Sequence, residues 1–170
     1  MAMSMTSGFN FMQSMQPVPT IEMNLYTTLK NAMISDTNWK IYNAAEIVNI
    51  FGQDMAGGID ICCTYGTDLI FCIYCKQVSS VNIKDMTHFI YCCNSILNAE
   101  VSAKRIPINL CKIWGASFAP MGQSFSTAIE REKIALMCES VQQTLVDRML
   151  QRINLIFTEH KSRASNVFRI

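Results

Sequence analysis

The chain of 170 residues is predicted to fold as α/β, with α+β as the alternative: a mixed central sheet flanked by helices. Three observations predict it. Two apolar, β-favouring runs flank the short polar connection Gly66-Thr67-Asp68, which makes an antiparallel hairpin. Segments whose apolar residues recur at helical spacing alternate with short strand-like runs. Helical crossovers between those runs supply parallel pairing beside the antiparallel hairpin, so the sheet is mixed. The length fits one domain with room for a core, and no internal repeat is visible.

Taken in order, residues 1–19 form a Met-rich arm ending at Pro17-Val18-Pro19 and are expected to be flexible. They carry no basic segment followed by a continuous apolar stretch, so they read neither as a signal peptide nor as a membrane span. The domain is expected over 20–158. Thr20 is the candidate N-cap of a first helix, Glu22 lies in its first turn, and Leu25, Leu29, Ala32 and Met33 form its inward stripe. A strand is expected over 39–44, and residues 47–51 are either its continuation or a short helix. Gly57-Gly58 closes the loop leading into the hairpin.

The hairpin runs from Ile59 to Gln77, and both arms are apolar almost throughout, which places it in a sheet interior covered on both faces. A second helix over 83–98 presents Met86, Phe89, Ile90, Cys93, Ile96 and Leu97 to the sheet. A strand follows over 108–114. A helix capped by Gln123 or Ser124 comes next, with Phe125, Ala128 and Ile129 inside, and residues 134–138 suit a last strand. A final amphipathic helix over 140–158 buries Val141, Leu145, Met149, Ile153 and Ile156 or Phe157, and residues 159–170 are expected to be a loose, mildly basic tail.

Composition limits the function classes. The formal charge is +1 and charged residues make up 16%, so no global field recruits a polyanion and any nucleic-acid contact must be local. The eight cysteines fall mostly within apolar runs and are read as reduced, buried small hydrophobes of an intracellular protein. Zinc is disfavoured. Cys72 and Cys75 have CxxC spacing, but residues three apart on a strand point to opposite faces. His88 and His160 read as packed or solvated side chains rather than ligands.

Only two charges interrupt the hairpin arms, Asp60 near the start of the first and Lys76 at the end of the second. Antiparallel pairing brings these ends together, and ionisable groups at the end of a buried hairpin are costly unless they pair or bind something. Register decides whether they meet. Pairing Tyr65 with Leu69 around a three-residue loop puts Asp60 on Lys76's face, whereas a two-residue loop at Gly66-Thr67 pairs Asp60 with Ile73 and turns Lys76 away.

A helix carrying Glu22, a strand, Gly57-Gly58-Ile59-Asp60-Ile61 on a second strand and Ile73-Tyr74-Cys75-Lys76-Gln77 on a third together resemble the core of the PD-(D/E)xK, restriction endonuclease-like nuclease superfamily. The likeness is greatest to its Mrr-type branch. The downstream strand, helix and strand resemble that branch's ending, and the similarity spans roughly residues 20–150. The resemblance implies metal-dependent hydrolysis of DNA phosphodiester bonds. It makes Asp60 and Glu22 ligands of Mg²⁺ or Mn²⁺, and Lys76 the residue that orients water and steadies phosphate charge. A cleft holding this trio is expected, with Gln77 and Tyr74 at its rim and Gln77 and Lys84 as candidate nucleic-acid contacts.

The pattern departs from the family in one place. Two residues before the lysine, where the family has Glu, Asp or Gln, stands Tyr74, whose protonated phenol is a poor Mg²⁺ ligand. The alternative is therefore a catalytically inactive nuclease-like domain acting as a nucleic-acid-associated or structural module. Such a module would use an exposed apolar patch or an edge strand to form a homo-oligomer or larger assembly. In that case Asp60 and Lys76 simply pair, Glu22 is a first-turn helix acid, and Lys84, Lys104, Arg105, Lys112, Arg131 and Lys133 are solvated surface.

Overall fold

The hairpin is the centre of the sheet. A computed structural model describes residues 19–77, 82–104, 108–120 and 122–167, without the side chains of 102–104 and 164–167. The arm over 1–18 therefore lies outside the described residues, as do Arg105 and the end of the tail. Strand β2 (Ile61–Tyr65) pairs antiparallel with β3 (Leu69–Lys76), and Tyr65 opposes Leu69, so the connection has three residues. Strand β1 (Trp39–Asn43) adds antiparallel to β2. On the other side β4 (Asn109–Ala116) and β5 (Ala135–Cys138) add in parallel, giving the order β1-β2-β3-β4-β5.

The pattern of each strand follows from its place. β3 is the middle strand, and every residue from Leu69 to Cys75 is buried, as two covered faces require. Its alternate residues supply two cores. Ile70, Cys72, Tyr74 and Trp114 face α2 (Ala44–Phe51), α3 (Ile83–Lys104) and α4 (Gln123–Glu132). Leu69, Phe71, Ile73, Cys75 and Ile113 face α1 (Ile21–Met33) and α5 (Gln142–Val167). The protein is thus a mixed α/β fold in three layers, with α3 and α4 making the parallel crossovers. Cys72 and Cys75 fall in different cores, as strand alternation demands, and all eight cysteines are free.

Several elements differ from expectation for local reasons. Residues 44–51 are a helix because Asn43 and Glu46 form a capping box: Asn43 Oδ1 accepts from the Glu46 N–H, and Glu46 Oε1 from the Asn43 N–H. In α1 the buried stripe is Ile21, Leu25 and Leu29, with Met33 packed beside it, while Ala32 is exposed. α4 has no side-chain cap from Gln123 or Ser124; Gly122, at φ 112°, precedes it. Helix α3 runs on to Lys104, and α5 to Val167 through most of the expected tail. Val141 is exposed, and Val146 is buried instead. Gly58 lets α3 approach closely, since a Cβ there would collide with Cys92 Sγ and the His88 ring. Among the described residues no helix is long and apolar enough to cross a membrane.

Candidate functional site

The observed register brings Asp60 and Lys76 together. With Ile61 opposite Ile73, one further step sets Asp60 beside Tyr74, and its N–H donates to Ile73 O at 2.9 Å. Asp60 and Lys76 therefore lie on one side of the hairpin, with Lys76 Nζ 3.7 Å from Asp60 Oδ1. The other oxygen, Asp60 Oδ2, accepts from the Cys75 N–H at 2.9 Å. Asp60 is the one charged side chain among the buried residues described, at 7% exposure.

Such burial raises the cost of its charge. Desolvation pushes the Asp60 carboxyl up from 3.8 to about 6; the Cys75 N–H and the Lys76 ammonium pull it down, and the Glu22 charge adds to the rise. Burial wins over the ammonium because the pair is long and Lys76 is partly solvated, which weakens its field.

A cleft of about 610 Å³ opens at this end of the sheet, at the carboxyl end of β3, where ligands of open α/β sheets commonly sit. Its lining includes Asp60, Lys76 and Glu22, so the three residues picked from the sequence share one cavity. Thr20 holds Glu22 at its mouth by capping α1, its Oγ1 accepting from the Met23 N–H at 3.3 Å. Among the described residues no three His, Cys, Asp or Glu side chains are grouped to hold a metal ion. Asp60 and Glu22 are nonetheless hard oxygen donors on one cleft. Both are of the oxygen-donor type that Mg²⁺ takes.

The remaining expected residues lie elsewhere. Tyr74 is not at the rim: it is 3% exposed, its ring stacked on Trp114 with centroids 3.7 Å apart and planes 10° from parallel. Burial, followed by the Asp85 and Asp60 charges, pushes its phenol well above the usual tyrosine range, so it offers no anionic oxygen. Lys76 Nζ lies 5.2 Å from the centre of the same ring, which gives the ammonium a cation–π floor. Gln77 Nε2 donates to Ser140 O at 3.2 Å, and Lys84 is exposed in the first turn of α3; neither lines the cleft. Lys112 and Arg131 are not free surface cations, since both pair with Glu132, at 2.9 and 3.4 Å. His88 Nε2 lies 3.0 Å from Ala56 O, and His160 pairs with Asp68 at 3.2 Å.

Sequence reasoning missed part of the lining. Met23, Tyr26 and Thr27 of α1 face the cleft beside Glu22, opposite Ala44 and Ala45 at the start of α2. The signal was the helical period itself, since residues three and four on from Glu22 and Met23 share their face. No protein-family model matches this chain, and no curated protein or solved structure matches it significantly.

Proposed function

We propose that the protein is a Mg²⁺-dependent DNA endonuclease of the restriction endonuclease-like, PD-(D/E)xK kind, hydrolysing phosphodiester bonds. The observation that carries this reading is the hairpin register, which sets a buried carboxylate and an ammonium 3.7 Å apart in a cleft shared with Glu22. The burial of Asp60 supports it too: a carboxylate kept in a cleft at a desolvation cost is a candidate functional group. In this reading Asp60 and Glu22 hold the cation. Mg²⁺, when bound, polarises the phosphate and lowers the pKa of a bound water. Lys76, kept above the Tyr74 ring, steadies charge on the phosphate and orients the attacking water.

The second reading, a nuclease-like domain that binds without cutting, is favoured by one observation. Tyr74 occupies the position of the family's second acidic residue, and it is locked into the Trp114 stack. One experiment separates the two. Plasmid and single-stranded DNA are incubated with Mg²⁺ or Mn²⁺ and wild-type protein, Asp60→Ala or Lys76→Ala. Metal-dependent cutting that falls by about 10²-fold or more in each variant is expected. Folded wild type that cuts neither substrate would sink the hydrolytic reading and leave the binding module.

A further inference from the structure

The cleft has two unlike walls. One is polar, with Asp60, Lys76 and Glu22; the other is apolar, with Met23, Tyr26 and the paired small residues Ala44 and Ala45. Met23 is 60% exposed in the first turn of an amphipathic helix, where a polar residue would cost nothing. Tyr26 is held in place: its hydroxyl donates to Glu46 Oε1 at 3.0 Å, the oxygen that also closes the capping box of α2, and Lys30 Nζ sits 4.9 Å from its ring centre. A fixed aromatic ring and a pliable thioether beside two alanines make a surface for a flat, uncharged ring system.

Size and charge narrow the occupant. About 610 Å³ falls within the roughly 300–1,000 Å³ typical of sites that enclose one small ligand. A duplex keeps its base faces stacked and offers only edges and phosphates, which call for a basic face. Lys76 is the one Lys or Arg among the residues lining this cleft, so the cleft itself presents no basic face. Recognition through an exposed base face needs few cations, because stacking tolerates any sequence and carries much of the affinity for single strands.

We propose that the cleft takes one unpaired nucleotide of single-stranded DNA, its base against Met23, Tyr26 and Ala44-Ala45 and its phosphate at Lys76. This rests on the phosphodiester reading and names its substrate as single-stranded or splayed DNA. Binding tests it without cutting. A single-stranded oligonucleotide carrying 2-aminopurine, and the same strand in duplex, are titrated with protein in Ca²⁺, and the fluorescence change is read. The single strand is expected to bind at least about tenfold more tightly than the duplex, with Met23→Ala and Tyr26→Ala each weakening it about five- to tenfold and Tyr26→Phe, which keeps the ring but loses its tether, weakening it less. Because Met23 is exposed, its variant tests the wall even if Tyr26→Ala unfolds α1. Equal or tighter duplex binding, no binding at all, or single-strand binding indifferent to Met23→Ala would overturn the proposal. The two readings fail separately. Tyr26- and Met23-dependent binding by a protein that cuts nothing supports the single-strand cleft and removes the hydrolysis; duplex-preferring cleavage does the reverse.

Discussion

The two ends of the central hairpin are built on opposite terms. At the turn end, Trp39, Tyr65 and Phe157 pack with ring centroids 4.6 to 5.0 Å apart, and Phe71 stacks beneath Trp39 at 6.1 Å. The polar contact there, His160 Nε2 with Asp68 Oδ2 at 3.2 Å, leaves the Asp68 carboxylate about half exposed to water. At the open end a carboxylate is buried with one N–H and one partly solvated ammonium 3.7 Å away, and its charge is disfavoured. One strand pair thus joins an end arranged for stability to an end that gives stability up. Sites that bind or react commonly carry such a cost.

The largest effect is expected at the turn end. Trp39→Ala removes the ring on which three aromatics converge, and should lower unfolding free energy by about 3 kcal/mol in urea denaturation, with cleavage per folded molecule unchanged. A smaller loss would mean that the cluster is not the hairpin's anchor.

At the open end the sign reverses. The folded-state pKa of Asp60 is raised, so its contribution to stability is fullest below about 4 and declines as pH rises through about 6. Asp60→Asn should therefore raise stability at pH 8 by about 2 to 3 kcal/mol, with the gain vanishing near pH 4, and under the hydrolytic reading cleavage is lost. Thermal melts across that range check it, and a variant less stable than wild type at pH 8 would show that Asp60 is structural.

Tyr74→Phe is the smallest change. It keeps the ring on Trp114 and under Lys76 and should move stability by less than about 1 kcal/mol with cleavage retained. Loss of cleavage would assign the hydroxyl a part in the chemistry.

Much of this was legible because it is local. The glycine-containing connection, the apolar arms and the helical periods of α3 and α4 are properties of short windows, and the two charges at the hairpin's ends were visible as exceptions within them. The register was open in the sequence between a two- and a three-residue loop; the structure has three, and with that Asp60 and Lys76 meet. The capping box at Asn43 and Glu46 was equally local and marked a helix where the reading stayed open.

What the sequence determined by itself is the fold class and the chemical types: a mixed sheet, a buried hairpin, and a carboxylate and an amine at its open end. Only the tertiary structure decided their surroundings. Tyr74 is a core residue because Trp114, forty positions on, arrives beside it on β4, and Phe89 reaches it from α3. Met23 and Tyr26 became a cleft wall because α2 turns Ala44 and Ala45 toward α1. Periodicity fixes which face of an element a side chain occupies, since that depends on its own backbone. Whether that face meets solvent, a second aromatic ring or a charge depends on segments distant in the chain, whose approach is set by the packing of the whole core.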